Sequence, residues 1–202
     1  MANGVIALLL SALPLMGSPG PATLSLASVG SAYGFSRSLP YLAGIISGTI
    51  GALVLISFGF AAVIAAQPNL MKGLKLVAFA YILHLAWKIA HAPTHPATSQ
   101  HTTPPSLVAG FLLALANPKA YAAIAAVFST HRRIMDDAVS DSIAKVAVLS
   151  AAVIMINTGW LCFGKMLSSV LGNPRHARIA NLGFAMLLVG SVALALSGSR
   201  HV

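Results

Sequence analysis

The stretch Pro14-Leu15-Met16-Gly17-Ser18-Pro19-Gly20-Pro21 interrupts an apolar run without a single charge, which extends from Met1 to Ser36. Three prolines and two glycines in eight residues cannot continue a regular helix, because each proline lacks an N–H group and clashes with the preceding turn. In hydrocarbon, the carbonyl groups that such a break frees are costly unless protein or water satisfies them. We therefore expect a broken membrane helix whose break lines a cavity.

The composition around this stretch is that of an integral membrane protein. Of the 202 residues, 57% are hydrophobic and only 7% are charged, whereas soluble domains carry about 25% charged residues. We expect one transmembrane domain over residues 1–202, in contact with the lipid of the plasma (inner) membrane. The net charge of +9 comes from basic residues scattered where apolar runs end, which is typical of anchors at lipid head groups. This pattern argues against a nucleic-acid partner.

Six stretches approach the roughly 20 apolar residues that a spanning helix needs. The predicted spans are Ala2–Ser28, Leu39–Ala65, Leu70–Ala90, Ser106–Ser129, Val146–Gly164 and Ile179–Ser197. Residues 91–105, rich in Pro, Thr and His, are predicted to form a mobile loop. The three acids, Asp136, Asp137 and Asp141, fall in the predicted loop 131–145, so we expect no carboxylate inside the membrane.

A second break, Asn117-Pro118-Lys119, interrupts the fourth span. Pro19 and Pro118 lie 99 residues apart, each in the first helix of a three-span half. Three spans per half would give the halves opposite orientations, which predicts an all-α fold of two inverted three-helix repeats, about 1–90 and 106–200. Paired broken helices in inverted repeats indicate a transporter binding site. The alternative is that both prolines only kink their helices.

Lys119 is the fourteenth residue of the 24-residue fourth span. An ammonium at that depth costs at least about 2.5 kcal/mol, so a functional role is the default interpretation. The alternative is that Lys119 snorkels to a membrane interface that lies nearer to it than the predicted bounds of the span imply. His84, in the third span, is a candidate proton carrier or else a packing histidine. The single cysteine, Cys162, is expected to be a small buried residue.

Several short motifs follow one another along nearly the whole chain. The most specific is Gly110-Phe111 followed by Ala116-Asn117-Pro118-Lys119-Ala120. The others are Ser18-Pro19-Gly20-Pro21, Ala32-Tyr33-Gly34-Phe35-Ser36-Arg37 leading to Gly44, Gly48 and Gly51, then Leu74-Lys75, Ala80-Tyr81, Trp87-Lys88, and Asn173-Pro174-Arg175 through Asn181, Gly183 and Gly190. In order and spacing they resemble the lysine-exporter family (LysE/RhtB type), whose members export amino acids and related solutes.

The resemblance implies a transporter, not an enzyme, that moves its solute by ion-driven efflux without a cofactor. The chain has no nucleotide-binding motif, so it cannot drive transport with ATP by itself. The candidate substrate-binding residues are Pro19, Gly20, Pro21, Asn117, Pro118, Lys119 and Asn157. Half-helix N-termini and Lys119 suit a substrate carboxylate, and Asn157 suits its amino group. An antiported proton would use Lys119, His84 or the substrate.

Two residues depart from the family's pattern. Many members have Asp or Asn where this chain has Ala22, and an acid where it has Asn157. Both departures argue against a carboxylate proton relay and against a strongly cationic substrate such as lysine.

Other functions stay open at this stage. A divalent metal-ion exporter would use the loop histidines His91, His95 and His101, although spans without acids line a metal path poorly. A non-transporting membrane assembly protein is another alternative, whereas a redox carrier needs a second cysteine. Rows of small residues permit close helix contacts and a homodimer. The nearly balanced loop charges do not decide the orientation, but Arg37 after the first span, opposite an uncharged N-terminal flank, slightly favours both termini outside.

Overall fold

The computed structural model describes residues 2–57, 68–91, 103–130, 134–135, 137–170 and 174–198. Every regular element within these ranges is an α-helix, which confirms the all-α prediction for this part of the chain. The helices are α1 (Ala2–Gly17), α2 (Pro21–Tyr33), α3 (Phe35–Ser57), α4 (Pro68–Ala90), α5 (Leu107–Leu115), α6 (Pro118–Thr130), α7 (Ala138–Val170) and α8 (Pro174–Gly198).

Two helices are long and apolar enough to cross a bilayer: α3, and α7 over Ala138–Leu167. Two further candidates are bent pairs, in which α1 meets α2 at 66° and α5 meets α6 at 56°. The described residues therefore contain two candidate spans, or four if each bent pair is one broken span. In α4 and α8 only shorter apolar stretches qualify, Phe79–Ala90 and Arg178–Ser191.

Both predicted helix breaks are present, and the first is shorter than the sequence predicts. Pro14 lies inside α1, and regular helix stops only at residues 18–20. Pro21 and Pro118 each begin the helix that follows a break. Proline is favourable at a first helical position because its missing N–H would have no helical partner there.

The boundary between the first two predicted spans was wrong. Helix α2 continues to Tyr33 and α3 already begins at Phe35, so Gly34 alone separates them. Gly34 has φ +77°, the left-handed conformation that favours glycine, and its N–H donates to the Gly30 carbonyl at 3.0 Å. The end of the predicted second span, residues 58–65, lies outside the described residues.

The predicted loop 131–145 was also wrong in part, because α7 begins at Ala138. The Asp137 carboxylate accepts a hydrogen bond from the Ser140 backbone N–H at 2.9 Å, and this bond lowers the pKa of Asp137 below its usual value. One turn on, Asp141 forms an ion pair with Lys145 at 2.8 Å, and both residues are buried. Since the pair neutralises itself, one carboxylate lies in an apolar helix after all.

Three pairs of helices pack closely against each other. Helix α3 packs along α5, α2 along α7, and α4 along α8. A Cβ on Gly44 would collide with the Leu107 carbonyl of α5, and a Cβ on Gly164 with the Ala27 carbonyl of α2. Small residues thus let the backbones approach. No heavy atom lies within 4 Å of a Cβ built on Gly51, Gly183 or Gly190.

The outer surface of the helices is apolar, as lipid requires. Large side chains such as Trp87 and Met186 are exposed, Met186 at 70%. Cys162 is also exposed on α7, contrary to the expectation of a buried cysteine. An outward-facing thiol is compatible with a helix whose solvent is hydrocarbon, because a free cysteine behaves as a small apolar group.

Candidate functional site

The two helix breaks contact each other through Lys119. This residue lies in the first turn of α6, and its Nζ donates hydrogen bonds to the carbonyl oxygens of Ser18 and, at 3.3 Å, Pro19. Both carbonyls belong to the break between α1 and α2. The sequence places the lysine deep in a span but cannot show that its ammonium reaches the other break.

Protein atoms satisfy several of the other polar groups that this break frees. The Trp160 indole N–H, on α7, donates to the Gly17 carbonyl at 3.0 Å. The Gly20 N–H donates to the Thr23 hydroxyl oxygen at 2.9 Å, and that hydroxyl lies 3.3 Å from the Ser18 carbonyl oxygen. Irregular backbone at membrane depth needs such partners. Side chains from α2, α6 and α7 thus form hydrogen bonds with the backbone of the break.

Gly20 is required for space and not for its backbone angles. Its φ of −171° is extended, which any residue adopts. A Cβ built on Gly20, however, would lie 2.6 Å from Cδ and 3.0 Å from Nζ of Lys119. The absent side chain therefore allows Lys119 to lie across the first break.

Each residue of the Asn-Pro-Lys motif at the second break has a different structural role. The Asn117 side-chain oxygen accepts from the Lys119 backbone N–H at 3.2 Å, and its backbone carbonyl accepts from Ala120 at 3.1 Å. Asn117 therefore caps α6, Pro118 begins the helix, and Lys119 extends to the other break. This division explains the motif in physical terms.

A cavity with an empty volume of about 440 Å³ adjoins both breaks. Four predicted substrate-binding residues line it: Gly20, Asn117, Lys119 and Asn157. Asn157 is buried on α7, and its amide donates to the Val153 carbonyl at 2.8 Å. The remaining lining is small or apolar and comprises Leu15, Met16, Ala22, Thr23, Thr49, Ala120, Ala123, Val153 and Ile156.

Sequence reasoning missed two polar residues of this cavity, Thr23 and Thr49. Thr49 is buried on α3 and donates to the Ile45 carbonyl at 2.8 Å, a bond that threonine makes in many helices and that carries no functional signal. Thr23 had a weak signal, because it stands three residues after Gly20, at the position from which a hydroxyl caps a helix start.

A second, more open hollow, with an empty volume of about 780 Å³, also adjoins the breaks. It is lined by Pro19, Gly20, Pro21, Pro118, Lys119, Ala122 and Ser191. Gly20 and Lys119 line both spaces. Each of the seven predicted substrate-binding residues lines one hollow or the other.

The histidine predictions are not supported by a shared site. His84 is exposed on α4, with its ring centre 6.5 Å from that of Trp87, and it lines neither hollow. Within the described part of the chain, no three His, Cys, Asp or Glu side chains group as metal ligands would. His91 is described, its ring nitrogen 2.8 Å from the Trp87 carbonyl oxygen, whereas His95 and His101 lie outside the described residues.

Paired helix breaks beside a cavity, in a chain of apolar helices, are typical of a membrane transporter. The sequence pattern of the LysE type translocator family matches residues 13–198, so the chain belongs to this family. The resemblance seen in the sequence is thereby confirmed, and the protein is a multi-pass inner-membrane transporter and not an enzyme.

Curated relatives agree with this family. The cysteine/O-acetylserine efflux protein of Escherichia coli O1:K1 / APEC is 30% identical over 175 residues, which cover 85% of this chain and 87% of the relative. The protein of the same name in Salmonella typhimurium strain LT2 is 37% identical over 90 residues, 43% of each chain. No solved structure matches the chain.

Proposed function

We propose that this protein exports small, neutral amino acids by secondary-active transport, and that the solute binds between the two helix breaks. The observation that carries the proposal is the placement of one ammonium, that of Lys119, with two half-helix N-termini on a single cavity. Relatives named for the efflux of cysteine and O-acetylserine support the same solute class.

The starts of α2 and α6 provide the place for a carboxylate. Ala22 and Thr23, in the first turn of α2, line the cavity together with Lys119 and Ala120 of α6. The N-terminal end of a helix carries partial positive charge. Because Asn117 already accepts from the Lys119 and Ala120 N–H groups, it is this charge that α6 offers. Lys119 adds a full charge beside it. A carboxylate would therefore find its counter-charges here.

The rest of the lining favours a small, uncharged side chain. Apolar groups of Leu15, Met16, Val153 and Ile156 form the wall around Asn157 and Thr49. None of the described residues that line either hollow is acidic, so a cationic side chain would lack a counter-charge.

Two inverted three-helix repeats are part of the same proposal. The broken pairs α1–α2 and α5–α6 would begin the two repeats, with α3 and α7 as the second span of each. Alternating access would then move one repeat against the other around the breaks. Because His84 lies away from both hollows, Lys119 is the proton-coupling candidate that the geometry supports.

The proposal is tested by reconstitution of the purified protein in liposomes. Vesicles loaded with unlabelled O-acetyl-L-serine or L-cysteine should accumulate the labelled solute from outside by exchange. L-lysine should not compete, because the cavity offers no counter-charge for its side chain. Exchange equal to that of protein-free liposomes for both solutes, or stronger competition by L-lysine than by L-serine, would contradict the proposal.

A further inference from the structure

The break between α1 and α2 already holds one primary ammonium. Nζ of Lys119 is bonded to the carbonyl oxygens of Ser18 and Pro19, just past the C-terminal end of α1 at Gly17. That end of a helix carries partial negative charge. The amino group of a zwitterionic amino acid has the same charge and the same three N–H donors as a lysine side chain.

These carbonyls are also what the site offers to a cation. The sequence contains only three acids, and Asp141, the one that lies within a helix of the described residues, is bound to Lys145. Neither hollow has an acidic lining residue among those described. Pro19 lines the second hollow, and Gly20 next to it lines both, so a solute ammonium at these residues has the carbonyl pair as its electrostatic partner.

We propose that the Ser18 and Pro19 carbonyl oxygens are a binding subsite for the ammonium group of the solute, and that Lys119 occupies this subsite until a solute replaces it. The inference rests on the proposed function, since it assigns the amino end of the solute whose carboxylate that proposal places at α2 and α6. Asn157 is thereby left to contact other polar groups of the solute.

When a solute replaces Lys119 at the carbonyls, every charged group keeps a partner only if the solute is a zwitterion. When the solute ammonium takes the carbonyl pair, the ammonium of Lys119 moves to the solute carboxylate. An amine without a carboxylate would leave two cations together, and a carboxylate without an amine would leave the carbonyls without their donor. Since Lys119 lines both hollows, the same movement changes the lining of both.

The first test deletes the Lys119 side chain and supplies the deleted atoms as a free amine in solution. In purified Lys119→Ala, propylammonium should raise the thermal midpoint of unfolding in a saturable manner, because it replaces the deleted side chain from Cγ to Nζ. Tetramethylammonium has the same charge but no N–H donor, and should not. Wild-type protein, whose subsite is filled, should respond to neither. Equal responses of variant and wild type, or to both salts, would overturn the proposal.

A second variant covers the case in which Lys119→Ala does not fold. Lys119→Leu keeps an apolar side chain as far as Cδ and lacks only the last carbon and the ammonium, which methylammonium supplies. Saturable stabilisation by methylammonium, absent with tetramethylammonium, is again expected. No difference between the two salts would overturn the proposal.

A third measurement uses the wild-type protein alone. O-acetyl-L-serine should bind at least about tenfold more tightly than 3-acetoxypropanoate, which has a hydrogen in place of the ammonium, because a charge-assisted hydrogen bond is lost. Equal affinities would show that the carbonyls do not bind the amine. All three measurements report binding to purified protein, whereas the proposed function is tested by exchange in liposomes. Either proposal can therefore fail while the other holds.

Discussion

Gly20 and Lys119 depend on each other although 99 positions separate them in the chain. Glycine at position 20 leaves the space through which the lysine side chain reaches Ser18 and Pro19. The lysine in turn supplies donors to carbonyls that the break frees. A change at either residue should therefore disturb the same contact.

Gly20→Ala should destabilise the protein by about 1.5–3 kcal/mol, because the end of the Lys119 side chain would move away and lose its charge-assisted hydrogen bonds. Its Cβ would displace Lys119 from the carbonyls. Gly17→Ala is the matched control, since its Cβ would approach only Ile156 at an ordinary 3.9 Å. Thermal or denaturant unfolding in detergent measures both variants.

The coupling between the two residues makes this prediction specific. In a Lys119→Ala background, Gly20→Ala should add almost nothing, because the side chain it would displace is gone. Additive effects of the two substitutions would show that Gly20 serves another purpose.

At this scale the sequence predicted the polar residues of the breaks but not their partners. Asn117, Pro118 and Lys119 were recognisable because a proline and a charge are costly in a membrane helix. The hydrogen bond from Trp160 to the Gly17 carbonyl was not, since tryptophan is common in membrane proteins and the bond joins distant segments. Thr49 was missed for the similar reason that a helical threonine bonds its own backbone.

At the scale of elements, glycine positions distinguish tight helix seams from open faces. Gly44→Ala should destabilise the protein by about 1–3 kcal/mol, because its Cβ would collide with the Leu107 carbonyl of α5. Gly51→Ala, on the same helix α3, has open space and should be neutral or stabilising by about 0.5–1 kcal/mol. Unfolding midpoints of the two variants measure the difference, and equal destabilisation would contradict the α3–α5 seam.

Apolar runs predicted the helices better than their ends. The start of α7 was missed because Asp141 and Lys145 look like loop residues in a hydropathy count, although their ion pair is neutral as a unit. The turn at Gly34 was missed because no charge or proline marks it. Hydropathy records burial from water, whereas capping and ion pairing decide where a helix begins.

For the molecule as a whole, the proposed inverted repeats predict where labels will react. In a Cys162→Ala background, Ala2→Cys and Val202→Cys should react with an impermeant maleimide from one face of the membrane, and Thr94→Cys from the other. Three spans between these positions require this arrangement. Cys162 must be removed because it is exposed. Termini on opposite faces would contradict the six-span proposal.

We propose that a small zwitterion crosses the membrane at the contact between the two breaks. The most direct measurement is exchange of labelled O-acetyl-L-serine in liposomes that contain equal amounts of folded wild-type protein, Lys119→Met or Lys165→Met. Lys165 is exposed on α7 and lines neither hollow. We expect wild-type rates for Lys165→Met and a loss of about tenfold or more for Lys119→Met, since the solute loses a charge-assisted partner. Wild-type exchange by a well-folded Lys119→Met protein would contradict the account.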